Sequence, residues 1–157
     1  MKHWFKYFLI VFVITAILHS KAAFSQVRSY RFEQIDSLQK VEKKPVIVFI
    51  HTTWCRYCAA MKHSSFKDIR IIELLNKNYY FIDFDAESKK TILFNNTLFN
   101  YKPTGDNTGI NQLAIALGTI DGTLSYPTLC ILNSDYEITN QFKQYLKPTE
   151  LLTILKL

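Results

Sequence analysis

Glycine and proline are scarce in this sequence, with four residues of each in a chain of 157. This scarcity excludes collagen-like and low-complexity classes, which are rich in one or both of these residues. The sequence also lacks an internal repeat. Its apolar share of 48% is sufficient for a packed core, and its length is typical of one domain rather than two.

Long clusters of basic residues are lacking too. The formal net charge is +6, but residues 1–25 contribute three lysines and no acidic residue, which leaves 16 basic and 13 acidic side chains in the remainder. The longest basic clusters there are the pairs at residues 43–44 and 89–90. A nucleic-acid surface needs a continuous basic stripe, and the sequence therefore predicts no nucleic-acid partner.

The apolar run near the start of the chain is short. It spans residues 8–18, which is 11 residues, whereas a membrane-spanning helix needs about 20. A basic segment precedes this run, and Ala23 and Ser25 follow it with the small side chains that a signal-peptide cleavage site requires. The pattern predicts a cleaved signal peptide at residues 1–25, a mature domain at residues 26–157 and export to the periplasm. The alternative is an uncleaved N-terminal membrane anchor.

Cysteines are few, namely Cys55, Cys58 and Cys130. A disulfide-stapled secreted domain usually carries a larger, even set in a shorter chain. A structural zinc site needs about four ligands, and His51 and His63 are the only other candidates, so we expect no metal. One close pair plus an odd cysteine is more typical of redox chemistry. Cys130 lies in an apolar segment and is expected to be a buried, unreactive thiol.

The order of predicted elements is that of an α/β domain. The apolar, β-branched run at residues 46–50 is typical of a strand buried on both faces, and a helix from about residue 55 to 77, broken near residues 64–65, follows it. The other predicted elements are an extended lead-in at residues 27–32, strands at 79–84, 128–132 and 137–142, and helices at 33–41, 111–117 and 148–155. A tight turn makes the last two strands antiparallel, so the sheet is predicted to be mixed, with helices on both faces.

An insertion of about residues 86–110 separates the two halves of this pattern. Two largely apolar segments flank the turn at residues 95–97, which predicts a β-hairpin. Pro103, Gly105 and Gly109 are typical of loops. A connection of this length is usually structured or functional, and the hairpin favours structure.

The close cysteine pair stands where the buried strand leads into a helix. Cys55 is predicted at the helix N-terminus, where unpaired N–H groups and the helix dipole favour a negatively charged sulfur and lower the thiol pKa. Cys58, one turn deeper, can close a ring with Cys55 or resolve a mixed disulfide that Cys55 has formed. Arg56 and Tyr57 between them are expected to modulate the pair. The charge of Arg56 would lower the Cys55 pKa further, unless Arg56 is only a solvated residue at the helix end.

Two short motifs resemble the signatures of the thioredoxin superfamily. The sequence Trp-Cys-Arg-Tyr-Cys at residues 54–58 matches the Trp-Cys-x-x-Cys centre, and Tyr-Pro-Thr at residues 126–128 matches the second signature. Residues 53–66 most resemble the extracytoplasmic thioredoxin-like branch, which includes the C-terminal domain of the thiol–disulfide interchange protein. The resemblance covers about residues 40–157 apart from the insertion. It implies a thioredoxin-like fold with a central mixed β-sheet flanked by helices.

The same resemblance implies roles for residues around the cysteines. The peptide bond before Pro127 is expected to be cis, and Pro127 to face the sulfur of Cys55. The backbone of Tyr126 is then expected to pair with an extended substrate segment by strand addition. Trp54 is expected to flank the site as a partly exposed apolar wall.

The sequence departs from cytosolic thioredoxins at a buried pair of charges. Those proteins carry an Asp six residues before the first cysteine and a Lys in the next strand, and the corresponding positions here are Phe49 and Phe81. Loss of both charges together is physically consistent, because one buried charge without its partner is costly. The usual proton acceptor for Cys58 is therefore missing, and water, His51 and Glu87 are alternative substitutes.

Together these patterns predict an exported oxidoreductase that uses Cys55 and Cys58 to reduce, oxidise or exchange protein disulfides, without a cofactor. The expected partners are protein thiols or disulfides and a redox partner protein, with membrane contact only through an uncleaved N-terminal segment. Two other functional classes of protein remain alternatives. One is a thioredoxin-like binding module or copper chaperone, because soft thiolates select Cu(I), and the other is a structural domain with a vestigial site.

Export gives a first testable prediction. The mature protein should begin at Gln26 and be recovered outside the inner membrane, because the basic start, the short apolar run and the small-residue site form a signal-peptide pattern. Mass spectrometry of the intact protein and sequencing of its N-terminus measure this. Recovery of the chain in the membrane fraction with residues 1–25 still attached would support the anchor instead.

Overall fold

A computed structural model describes residues 26–156 of the chain. The predicted signal peptide at residues 1–25 lies outside the described residues. Within them, no helix combines the length and the apolar character that crossing a membrane demands.

Five α-helices and ten strands make up the described part. The helices are α1 (Phe32–Val41), α2 (Arg56–His63), α3 (Ile69–Asn78), α4 (Gln112–Gly118) and α5 (Pro148–Ile154). The strands are β1 (Val46–His51), β2 (Tyr80–Asp85), β3 (Ile92–Phe94), β4 (Thr97–Phe99), β5 (Tyr101–Pro103), β6 (Gly109–Asn111), β7 (Thr119–Ile120), β8 (Thr123–Leu124), β9 (Thr128–Leu132) and β10 (Ile138–Phe142).

A four-stranded sheet with the order β10-β9-β1-β2 forms the centre of the fold. β1 pairs in parallel with β2 and antiparallel with β9, and β9 pairs antiparallel with β10. The parallel pair is connected through α2 and α3, as a crossover between parallel strands requires. The predicted α/β architecture with a mixed sheet is confirmed.

β1 lies between two apolar clusters, and all six of its residues are buried. Because side chains alternate along a strand, Val46, Val48 and Ile50 pack into one cluster with residues of α1 and α4. Ile47 and Phe49 pack into the other cluster, together with residues of α2, α3 and α5. Helices therefore cover both faces of the sheet, as predicted.

The predicted break in the helix after the cysteines is confirmed. α2 ends at His63, a 3-10 turn spans Ser65–Lys67, and Asp68 is the N-cap of α3. The buried hydroxyl of Ser65 donates a hydrogen bond of 2.6 Å to the carbonyl oxygen of Leu146. This bond joins the break to the segment that leads into α5.

The lead-in to the fold runs beside β2. A single parallel bridge joins Ser29 to Phe81, and the N–H of Tyr30 donates to the carbonyl oxygen of Phe81 at 2.8 Å. The extended lead-in is therefore confirmed for residues 27–31. Phe32 was predicted to end it but is the first residue of α1, where its ring is buried in the core.

The insertion contains two hairpins rather than one. β3 and β4 pair around Asn95 and Asn96, whose φ angles of 47° and 56° are those of a tight hairpin turn. β5 and β6 form a second hairpin in which Pro103 pairs with Gly109, so the prediction of loops at these two residues was wrong. Pro103 is tolerated because it ends a short edge strand, where its missing N–H breaks no ladder.

Asn111 joins the two ends of the insertion. Its fully buried side chain donates from Nδ2 to the carbonyl oxygens of Ser88 at 3.2 Å and Lys90 at 2.9 Å. Its Oδ1 accepts the N–H of Leu113 at 3.0 Å, which makes Asn111 the N-cap of α4. One side chain thus fixes where the insertion leaves the domain and where it returns.

Asn111→Ala should lower the free energy of unfolding by about 1–3 kcal/mol, because it removes a helix cap and two hydrogen bonds to partly buried carbonyl groups. Chemical denaturation measures this change. The matched control is Asn107→Ala, at an exposed position of the same insertion, where we expect a change below about 0.5 kcal/mol. Equal, small losses in the two variants would show that Asn111 does not anchor the insertion.

Candidate active site

The cysteine pair lies at the start of α2, at the end of the sheet where β1 stops. Cys55 is the N-cap of the helix, and it forms a disulfide with Cys58 in which the two Cα atoms are 5.2 Å apart. Cys55 is 6% exposed and Cys58 is 1% exposed. A partner can therefore reach the disulfide more readily at Cys55.

Backbone polarity around the disulfide favours negative charge on Cys55. Its Sγ accepts a hydrogen bond of 3.1 Å from the N–H of Cys58, which is one of the N–H groups that the first turn of a helix leaves unpaired. No acidic residue lies in the first turn of α2. In the reduced protein, the same N–H and the helix dipole would stabilise a Cys55 thiolate.

Trp54, next to Cys55 in sequence, packs against Tyr126. Trp54 is 66% exposed, and its Nε1 donates to Oε1 of Glu87 at 3.0 Å. Its ring meets the ring of Tyr126 edge to face, with the centroids 5.9 Å apart. The peptide bond between Tyr126 and Pro127 is cis. Burial raises the pKa of Tyr126 to about 12, with further contributions from Glu87 and Asp85.

Tyr57 and Arg56 are also exposed at the start of α2. Tyr57 is 67% exposed, and its ring lies 6.4 Å from that of Tyr145, between centroids. Arg56 forms no ion pair with the acidic side chains of residues 26–156. Large exposed aromatic side chains are enriched at protein-binding surfaces, and here Trp54 and Tyr57 both adjoin the disulfide in sequence.

The positions of the missing charge pair form part of an aromatic cluster. Phe49 is fully buried and Phe81 is 5% exposed. Phe66 packs between them, with its ring centroid 4.9 Å from that of Phe49 and 5.1 Å from that of Phe81. The space that would hold two charges is thus filled by rings.

Three charged or titratable side chains form a triangle beside this aromatic cluster. His51 donates from Nε2 to Oδ1 of Asp83, and Lys62 donates from Nζ to Oδ2 of Asp83, each at 2.8 Å. Lys62 Nζ lies 3.0 Å from His51 Nε2. Partial burial alone would raise the pKa of Asp83, but the hydrogen bonds from His51 and Lys62 outweigh it and hold that pKa below its usual range.

Sequence reasoning missed two members of this triangle. It singled out His51, but neither Lys62 nor Asp83. Asp83 interrupts an otherwise apolar strand, and Lys62 follows Cys58 by four residues on the same helix. Both of these features are visible in the sequence. The sequence does not show that β1, α2 and β2 bring the three side chains together.

The other candidate residues have ordinary positions. Glu87, an alternative proton acceptor for Cys58, accepts a hydrogen bond from the indole N–H of Trp54. His63 is exposed. Cys130 is fully buried, and burial raises the pKa of its thiol to about 12, which agrees with an unreactive cysteine. Residues 26–156 contain no group of three or more His, Cys, Asp or Glu side chains placed to hold a metal ion.

Comparison with known families assigns the fold. A family model described as a thioredoxin-like domain matches residues 32–157. The chain belongs to the thioredoxin-like family. A search of curated proteins found no match.

Solved structures share this thioredoxin-like fold at low sequence identity. A putative disulphide isomerase from Bacteroides thetaiotaomicron is 23% identical, with a TM-score of 0.56, and the match covers 83% of this chain and 88% of that one. A thioredoxin from Thermus thermophilus is 18% identical, with a TM-score of 0.59 and coverage of 83% and 85%. An oxidoreductase described as DsbH is 12% identical, with a TM-score of 0.57 and coverage of 88% and 90%.

The two thiols of this thioredoxin-like protein should differ in reactivity after reduction. Cys55 should be alkylated with a pH midpoint below the ordinary thiol pKa of about 8.5, because the helix N-terminus stabilises its thiolate. Cys58 should react slowly until the protein unfolds, because it is almost fully buried. Mass spectrometry after timed exposure to iodoacetamide, at several pH values, measures both rates.

A Cys55→Ser variant is the matched control for this measurement. It should lose the fast phase and keep the slow alkylation of Cys58. Equal rates for the two thiols, or a faster Cys58, would contradict the assignment of Cys55 as the nucleophile.

Proposed function

We propose that this chain is an exported protein thiol–disulfide oxidoreductase that works by exchange through Cys55 and Cys58. The observation that carries the proposal is the Cys55–Cys58 disulfide at the N-terminus of α2, with an N–H donated to the Cys55 sulfur. Membership of the thioredoxin-like family supports it. So do the descriptions of two structural relatives as an oxidoreductase and a putative disulphide isomerase.

Exchange proceeds in two displacement steps. In the reducing direction, the Cys55 thiolate attacks a disulfide of the substrate, forms a mixed disulfide and displaces one substrate thiolate. Cys58 then loses its proton, attacks the Cys55 sulfur and displaces the second substrate thiolate. The substrate gains two electrons, and the chain is left with the Cys55–Cys58 disulfide. The reverse sequence oxidises a substrate dithiol, and a redox partner protein with a dithiol or disulfide restores the starting state.

Protein segments rather than small thiols suit the surroundings of the disulfide. Trp54 and Tyr57 offer exposed aromatic surface next to the cysteines, and such surface favours apolar side chains of a partner. The backbone of Tyr126, before the cis bond to Pro127, is the proposed pairing edge for an extended segment. Export to the periplasm is proposed from the pattern of residues 1–25, and that compartment permits disulfide chemistry on proteins.

A trapping experiment tests the proposal. Cys58→Ala should leave Cys55 joined to its partners, because Cys55 still attacks while no second thiol displaces the substrate. Complexes should accumulate on non-reducing gels and disappear on reduction. Mass spectrometry of the trapped complexes identifies the partners. Pro127→Ala in the same background should change their lifetime, because the new N–H alters the backbone at the proposed pairing edge.

Cys55→Ala is the matched control, since it keeps one buried cysteine of the pair and removes the nucleophile. The proposal predicts that this variant traps no partner, and that the wild-type protein catalyses reduction of a protein disulfide such as those of insulin. Equal trapping by the two variants would overturn it. Partner binding that survives in the double variant Cys55→Ala, Cys58→Ala would instead support a binding module.

A further inference from the structure

Resolution of the mixed disulfide requires that Cys58 become a thiolate, although it lies where little water can reach it. Cys58 is 1% exposed and belongs to the apolar cluster that includes Phe49 and Phe66. Burial disfavours the charged form of a thiol. Cys130 shows how strong that effect is in this chain, since burial raises its pKa to about 12. If Cys58 is to attack Cys55 at neutral pH, as the proposed function demands, something must offset its burial.

Lys62 is a cation whose position on α2 suits it to offset the burial of Cys58. It lies four residues after Cys58 on α2, and side chains at this spacing share a helix face with about 6 Å between their Cβ atoms. Its side chain is 36% exposed and turns towards the sheet, where Nζ contacts Asp83 at 2.8 Å. Nζ also lies over the ring of Phe49, 5.8 Å from its centroid. Phe49 itself packs in the cluster that contains Cys58.

The neighbouring elements keep the ammonium group in this position. Asp83 on β2 accepts a hydrogen bond from Nζ. His51 on β1 lies beside Nζ, contacts the same carboxylate and stacks its ring on Phe49 with 5.5 Å between centroids. Lys62 and Asp83 line a cavity of about 190 Å³, and Lys67 of the 3-10 turn is the other charged residue in its wall. A cavity of this size has room for water beside the Lys62 ammonium group.

The elements packed against the cluster of Cys58 contribute three partly buried titratable side chains, namely Tyr79 before β2, Tyr126 before β9 and Tyr145 before α5. All three are phenols, and burial raises the pKa of Tyr79 and of Tyr126. Among the basic residues of α2, Lys62 is the one that lies one turn from Cys58 on the same helix face.

We propose that Lys62, held by Asp83, is a positioning residue that stabilises the thiolate of Cys58 while this attacks the mixed disulfide at Cys55. The inference rests on the proposed function and adds to it the group that controls its second step. Asp83 has two opposed effects. It orients Lys62, and it also neutralises part of the charge that Lys62 offers to Cys58.

The two displacement steps can be timed separately with the reduced protein and 5,5′-dithiobis(2-nitrobenzoate). Cys55 attacks this reagent and releases one coloured thiolate, and Cys58 then attacks the mixed disulfide and releases a second. Stopped-flow absorbance at several pH values gives a rate and a pH midpoint for each release. The second release reports the ionisation of Cys58. Where it is too fast to time, the ¹³Cβ chemical shift of Cys58 in a reduced Cys55→Ser variant gives its midpoint without the charge of a neighbouring Cys55 thiolate.

Lys62→Met keeps the length of the side chain and removes its charge. It should raise the midpoint of the second release by at least about one pH unit, and slow that release about tenfold at pH 7, because the rate follows the thiolate fraction. Lys62→Arg should restore the rate to within about threefold, because it returns the charge. Lys67→Met, the matched control, removes a cation from the same cavity but from a different element and should stay close to the wild type.

Asp83→Asn in the Lys62→Met background separates the two effects of Asp83. With residue 62 uncharged there is no cation left for Asp83 to orient, so losing its negative charge should leave the midpoint of the second release unchanged or lower it. A midpoint that Asp83→Asn raises further in this background would overturn the inference, since the carboxylate would then act on Cys58 without Lys62. An unchanged midpoint in Lys62→Met, or an equal shift in Lys67→Met, would overturn it too. Absence of the first release in the wild-type protein would instead contradict the proposed function.

Discussion

β1 is packed between two apolar clusters and pairs with a strand on each side, and the position of every group at the site depends on this. Its parallel register with β2 places Phe49 opposite Asp83 and His51 opposite Asp85. Its antiparallel register with β9 places Ile50 opposite Thr128, so that the turn before Cys55 and the segment before Thr128 meet at one end of the sheet. A shift of one residue would exchange the two faces of the strand, which the apolar side chains on both faces forbid.

The same packing explains where the charges of the site lie. A charged side chain in place of Phe49 or Phe81 would lose its hydration. The attraction between two opposite charges there would offset that desolvation cost only if their geometry were good. The aromatic cluster avoids this cost. The charged side chains lie instead at the rim, where Lys62 and Asp83 keep 36% and 37% of their side chains exposed. Polar groups at the rim retain contact with water, so they keep their charge without the full cost of burial.

Local patterns were enough to predict the central elements but not their meeting points. The apolar run of β1, the cysteine pair after it and the break in the helix are each visible within a few residues. The second hairpin was missed because Pro103 and Gly109 are loop residues by local preference, and only their pairing makes them part of strands. The triangle of His51, Lys62 and Asp83 was missed for a related reason. Its members come from β1, α2 and β2, and no local pattern brings three elements together.

The three cysteines show how backbone position and neighbouring charge give one side chain different chemistry. Cys130, in the middle of β9, is fully buried, and its thiol is held protonated by burial alone. Cys55 is nearly as buried but accepts an N–H at a helix N-terminus, where negative charge is favoured. Cys58 has the burial of Cys130 and a helix position close to that of Cys55. Its ionisation therefore depends on what lies beside it. A cation one turn further along α2 would favour its thiolate for the second attack, while the helix N-terminus still lets Cys55 ionise first. That order is the one that exchange needs, because the first attack must come from the cysteine that a substrate can reach.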